Sequence, residues 1–236
     1  MSRKISLYAI SQAETLSPDV YSFFERIATD NRRLRAKNFI RREDSCRALI
    51  AEALIRLVYL KETGSVVDEA VFTCNEFGKP ALKHSPIHFN VSHSGEWVVC
   101  GFDTNEIGVD IEKHHTVNWT IARRFYSIAE NARLAQCQSD DLRDKAFFDI
   151  GVSKESYIKA IGIGLRCPLA SFSCIPGTDV RHVAFCSDDD SLPAKNFRLL
   201  KIDPGYSCAV CFGDPATEIE TKVYNPQQLK ESLKRL

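Results

Sequence analysis

Residues 87–113 read IHFNVSHSGEWVVCGFDTNEIGVDIEK, and this run predicts three consecutive strands. IHFNVS and WVVCGF are β-prone segments joined by His93-Ser94-Gly95-Glu96, a hairpin signal. Asp103-Thr104-Asn105 supplies a turn. From Ile107 to Glu112 the apolar residues fall at 107, 109 and 111. A strand here buries those three on one face and presents Gly108, Asp110 and Glu112 on the other.

Working outward, about Glu43 to Lys61 carries Ala48, Leu49, Ala51, Ala53, Leu54, Leu57 and Val58 at helical spacing, and Thr63-Gly64 ends that helix. VFTCNEFGKP, 71–80, reads as a strand running into a turn. Residues 118 to 136 read as helical with a break near Tyr126-Ser127. A long helix follows from roughly Arg143 to Ile163, stopped by Gly162, Gly164 and Pro168. Strands are expected around 170–175, 180–186, 195–202 and 206–212, with Asp203-Pro204-Gly205 as a tight turn. The pattern predicts an α+β protein of two similar lobes, each with helices packed on a small antiparallel sheet. The expected N-terminal lobe is 1–105, the C-terminal lobe 106–225 and a polar, peripheral tail 226–236. Clefts between lobes are common ligand sites, so the active site is expected there.

The 236 residues are 44% hydrophobic, and 31 Lys+Arg balance 31 Asp+Glu. Zero net charge argues against nucleic acid or an anionic membrane as a bulk electrostatic partner. No secretory leader and no apolar run of membrane-spanning length is read. The nine cysteines are scattered, which with those readings points to reduced thiols in a cytoplasm. Cys208 and Cys211 form a CxxC, but YSCAVCF reads as a buried strand with no second ligand pair.

Two carboxylates on one strand face, Asp110 and Glu112, repel each other unless a cation sits between them; a solvated strand face would carry the same residues. Gly108 is expected to leave open space beside Asp110. In KESYIKA, Glu155 and Lys159 are i and i+4 on one helix face, the spacing also of an ordinary surface ion pair. Ser127-Ile-Ala-Glu130 matches a capping box, which accounts for Glu130 without a metal, although a metal-facing role is the alternative. Ser92 and His93 are strand neighbours pointing to opposite faces, so they form no dyad and read as a polar strand end able to hold a phosphate. Arg32, Arg33, Arg35, Lys37, Arg41, Arg42 and Arg47 make a dense basic cluster whose guanidinium forks suit phosphate, or a solvated helix face. Lys79, between Gly78 and Pro80, could reach the same anion.

In order, FGKP, FNVSHSGEWVVCGF, IGVDIEK, FYSIAE, KESYIKAIGIGL, PLASFS and DPGYSCAVC resemble the phosphopantetheinyl transferases, in particular the two-lobed, monomeric type that activates peptide synthetases in antibiotic biosynthesis. The resemblance runs from about Arg32 to Phe212. It implies transfer of the 4′-phosphopantetheine group of coenzyme A to a serine of an acyl, peptidyl or aryl carrier protein, with Mg2+ (or Mn2+) and release of 3′,5′-ADP. It places Asp110, Glu112 and Glu155 at the metal, Glu155 and Lys159 in catalysis, and Arg32, Arg35, Arg47, Lys79, Ser92 and His93 on coenzyme A. Trp119 and Phe125 are expected to meet the carrier. One position departs: where the family usually has tryptophan three residues before the KE lysine, this chain has Gly151, which removes local bulk and costs ~1 kcal/mol against alanine in a helix.

Two rivals use the same residues. A magnesium-dependent phosphohydrolase would need the three acids but would use water in place of the carrier serine. A non-catalytic coenzyme A-binding module would need the arginines and Ser92-His93 but not the acids.

Overall fold

Helix Arg42–Thr63 (α3) is buried almost continuously from Ser45 to Val58, more than an amphipathic stripe requires. Alanines at 48, 51 and 53 let neighbouring elements close around it. The computed structural model describes residues 4–66, 72–176, 183–187, 192–214 and 218–234. These divide into two compact units: residues 1–74, 80–104 and 218–236 form the first, and 75–79 with 105–217 form the second.

In the first unit, α3 is preceded by strand Lys4–Ile10 (β1) and helices Pro18–Ile27 (α1) and Asp30–Asn38 (α2). A short ribbon pairs Phe72–Cys74 (β2) with Pro80–Leu82 (β3). His88–Ser94 (β4) and Trp97–Asp103 (β5) form the expected hairpin, with Ser94 opposite Trp97. β5 also pairs antiparallel with β1. The core joins Phe24, Leu49, Leu54, Leu57, Phe89 and Phe102.

In the second unit, Gly108–Lys113 (β6) pairs with Tyr206–Phe212 (β10), which pairs with Asn196–Leu199 (β9). Helices Trp119–Phe125 (α4) and Ile128–Ala135 (α5) are separated at Tyr126-Ser127, as the sequence predicts. Asp140–Ile161 (α6) follows and ends on Gly162, whose φ of 74° is the left-handed C-cap conformation that glycine adopts without penalty. Phe172–Pro176 (β7) pairs with Val183–Ser187 (β8). Helix α6 packs on β6 and β10.

The C-terminal segment corrects an expectation. Glu218–Tyr224 (β11) completes the first unit's sheet by pairing parallel to β1, in the order β11-β1-β5-β4. Pro226–Lys234 (α7) then drives Leu229, fully buried, into that unit's core. The segment is neither peripheral nor part of the 106–225 lobe, and the sheet is mixed rather than antiparallel. Leu229 and the partly buried Leu233, one turn apart in a polar helix of nine residues, are too thin a stripe to read from periodicity. β1 and α1 likewise match no expectation, whereas α2 carries Arg32, Arg33, Arg35 and Lys37 on a helix, one of the two readings of that cluster. Among the described residues no helix is long and apolar enough to cross a membrane.

Candidate active site

Ile107, just before β6, and Val109 and Ile111 on it are buried, whereas Asp110 and Glu112 are half-buried on the other face of the strand. That face meets α6. Gly108 is not beside open space, as expected, but in backbone contact with the helix. A Cβ there would overlap the Ser156 carbonyl oxygen and lie 2.5 Å from the Ala160 nitrogen. This approach brings Asp110 under the next turn of α6, where its Oδ1 accepts a hydrogen bond from Lys159 Nζ at 2.6 Å. Burial pushes the Glu155 carboxyl above its ordinary range, the Asp110 carboxylate pushes it further, and the Lys159 ammonium pulls it partly back. Asp110, Glu155 and Lys159 therefore share one electrostatic site. Glu112 lies two residues along and is 3.7 Å from His115.

These acids line a cavity of about 240 Å³ whose other walls include Ile121, Phe125, Tyr126, Phe147 and Gly151. Gly151 does not leave the packing slack. The Tyr126 hydroxyl stands 3.0 Å from where a Cβ would begin and donates to the Phe147 carbonyl at 2.7 Å. The ring of Tyr126 packs on Phe147, centroids 5.3 Å apart.

Glu130 is closed to any metal. Ser127 and Glu130 form the full capping box. The Glu130 carboxylate also accepts from Lys154 Nζ at 2.6 and 2.7 Å and from the Cys174 amide at 2.7 Å. Lys154 donates once more to the Phe172 carbonyl at 2.6 Å and lies over that ring. Both charges are essentially excluded from solvent. Lys154 was missed in the sequence, although it stands at i+4 from Ile150 and i−4 from Ile158 on a buried stripe. A charge in that position requires a partner.

Lys79 belongs to the same unit. It pairs with Glu106 and donates to the Ala160 carbonyl at 3.0 Å, so its ammonium clips the 75–79 turn to the end of α6.

In the first unit, Arg32 and Arg35 line a cavity of about 180 Å³ with Thr29, Phe72, Thr73 and Pro80. Arg32 Nε donates to the buried Glu52 at 3.2 Å, and Glu52 also accepts from the Thr29 amide at 2.6 Å and from Arg56. Arg47 belongs to a different environment. It is buried and donates to Glu14 at 3.1 Å, Asp44 at 2.6 Å and the Gly95 carbonyl at 2.9 Å. Its guanidinium is committed to the protein's own acceptors. Ser92 is buried and His93 exposed, on opposite faces of β4.

Asp110 and Glu155 offer hard carboxylate oxygens of the kind magnesium prefers, and the ammonium already seated on Asp110 marks that place as one for a cation. Among the described residues no three His, Cys, Asp or Glu side chains stand close enough to enclose an ion. The donor set thus fits magnesium, an ion that usually takes one or two protein carboxylates and leaves its remaining positions to water and phosphate.

A family model for the 4′-phosphopantetheinyl transferase superfamily matches residues 106–211, and one for the N-terminal part of 4′-phosphopantetheinyl transferases matches 16–104. The chain is 34% identical over 212 residues to 4′-phosphopantetheinyl transferase Sfp of Bacillus subtilis, covering 89% of this chain and 93% of Sfp. The chain belongs to the 4′-phosphopantetheinyl transferases. Further relatives are 4′-phosphopantetheinyl transferase psf-1 of Bacillus pumilus, 30% identical over 95% of this chain and 92% of its own, and gsp of Aneurinibacillus migulanus, 32% identical over 71% and 70%. The transferase superfamily match takes in all of β6, α5 and α6, and so every acid of the site just described.

Proposed function

We propose that this 4′-phosphopantetheinyl transferase moves the phosphopantetheine group of coenzyme A to a serine hydroxyl of an acyl, peptidyl or aryl carrier protein, releasing 3′,5′-ADP. The observation that carries the reading is the Asp110–Lys159 pair with Glu155 beside it, on segments matching the family. Asp110 and Glu155 would hold Mg2+ or Mn2+, which when bound would neutralise phosphate charge, with Glu112, the third expected acid, two residues along the strand and not close enough to enclose the ion with them.

In the reaction the serine oxygen attacks the β-phosphorus, and the bond from that phosphorus to the oxygen of 3′,5′-ADP breaks. Glu155 takes the hydroxyl proton, and its raised basicity suits that task. Lys159 stabilises the charge that builds on the departing phosphate oxygens. Arg32 and Arg35, with Ser92 and His93, hold the remaining phosphates of coenzyme A. The cavity walled by Phe125, Tyr126 and Phe147 accepts the pantetheine arm that is transferred with the phosphorus. Exposed Ile121 and Ile128 on α4 and α5, with Trp119 and Phe125, offer the carrier an apolar face.

Incubation with coenzyme A and a carrier domain tests this. Expected is a carrier heavier by one phosphopantetheine, dependent on a divalent ion and lost on chelation. Release of 3′,5′-ADP without carrier modification would establish the phosphohydrolase instead, and binding without either product the coenzyme A module. A panel of carriers then ranks substrates.

A further inference from the structure

The Lys159 ammonium is seated on the carboxylate that the proposed metal requires. Its Nζ lies 2.6 Å from Asp110 Oδ1, and it is also the cation that draws down the Glu155 carboxyl. Removing this charge would leave Asp110 and Glu155 facing each other in a partly desolvated place, where like charges repel strongly. Lys159 lies in the last turn of α6 and is part-exposed, on a flexible four-carbon stem that can swing without moving the helix. Lys79, the nearby alternative, is held by Glu106 and the Ala160 carbonyl. Asp110 cannot give the same oxygen at full strength to an ammonium and to a divalent ion.

We propose that Lys159 is a placeholder cation: it neutralises the acid cluster before metal binds, competes with the metal for Asp110, and is released from it when the ion arrives with the substrate phosphates. The inference rests on the transferase reading for the identity of the phosphates, but the competition itself concerns the free protein. One side chain thereby serves in turn as counter-ion to the empty acid cluster and to the reacting phosphate.

The test uses Mn2+ alone, without coenzyme A, titrated into the full chain and followed by the electron paramagnetic resonance signal of free Mn2+. Lys159→Met should bind Mn2+ tighter than the parent by on the order of tenfold, as expected for removing a competing charge a few ångströms away. Lys159→Arg, which keeps the charge, should bind within about threefold of the parent on the same grounds. Metal-free Lys159→Met should melt below the parent, and the same high concentration of Mn2+ should raise its melting temperature by more than it raises the parent's, because a ligand stabilises as the logarithm of one plus its concentration over Kd. Equal or weaker Mn2+ binding by Lys159→Met overturns the proposal, as does a metal-free melting temperature unchanged or raised. Carrier modification measured beside these titrations separates the two readings. Tighter Mn2+ binding with no transfer by the parent enzyme would keep the placeholder and remove the transferase. Normal transfer with no change in Mn2+ affinity would do the reverse.

Discussion

Gly108 and Ser156 meet backbone to backbone, with no room at Gly108 for a single methyl group. The strand that carries Asp110 is therefore seated directly on the helix that carries Glu155 and Lys159. Gly108→Ala should destabilise the protein by about 1–3 kcal/mol or more, the usual cost of forcing a methyl group into a packed interior. It should also weaken Mn2+ binding, because Asp110 rides on the displaced strand. Gly213→Ala, where nothing stands within 4 Å of the added carbon, should change neither. Thermal melts and Mn2+ titration of both variants check this; wild-type Mn2+ affinity in a folded Gly108→Ala protein would count against the contact as the source of the site's geometry.

The arginines should separate. Arg47→Ala strips a buried hub from Glu14, Asp44 and the Gly95 carbonyl. A loss of about 1.5–3 kcal/mol is expected, the range for hydrogen bonds to charged groups, with KM for coenzyme A little changed in the folded fraction. Arg35→Ala, exposed in its cavity, should keep the melting temperature and raise KM. Arg32→Ala should do both, because Arg32 also ties to Glu52. Denaturant melts beside initial-rate kinetics at varied coenzyme A distinguish the three.

Neighbours on α6 should fail in opposite ways. Lys154→Met leaves the buried Glu130 carboxylate without its cation and should cost about 3–5 kcal/mol. Glu155→Gln should melt at or above the wild-type temperature while nearly abolishing transfer, since glutamine can neither take the proton nor offer charge to a metal. Lys159→Ala should lower the single-turnover rate by ~10²–10⁴-fold, the range for a positioned acid–base or charge-stabilising group. Near-normal rates in both Glu155→Gln and Lys159→Ala would remove both side chains from the chemistry and leave Lys159 as an ion-pair partner of Asp110.

Metal-free stability should depend on pH through Glu155. Its carboxyl is raised in the folded state above the ordinary 4.5 by burial and by Asp110. The folded protein thus holds this proton more tightly than the unfolded chain. The stabilisation is fully present below about pH 4.5 and is lost as pH rises through the folded-state value. Glu155→Gln should remove this descending contribution, and saturating magnesium should offset it in the wild type. Urea melts across pH 4 to 8 in chelator, at about one-unit steps, read the slope directly.

Local patterns made much of this legible. Alternation placed Asp110 and Glu112 on one strand face, helical spacing paired Glu155 with Lys159, and the capping box assigned Glu130. What stayed hidden depends on distance across the fold. No pattern around Gly108 tells whether an absent side chain faces a void or a backbone. Arg47 looked like its neighbours in a basic run, and its burial is decided by Glu14 and by a turn 48 residues away. The bulk missing at Gly151 is answered by Tyr126, whose hydroxyl reaches a helix carbonyl 21 residues on.

The parallel pairing of β1 with β11 also orders events during synthesis. Ser11 and Tyr224, joined by a hydrogen bond, are 213 residues apart in sequence. The second unit is spelled out between the first unit's segments. A ribosome therefore delivers all of the acid-bearing unit before the strand that completes the sheet of the arginine-bearing unit. Until β11 emerges, β1 has an open edge, the kind of surface that recruits foreign strands. A released chain truncated after residue 217 should hold the acid-bearing unit folded and the arginine-bearing unit still protease-sensitive, although most of the latter's residues are made first.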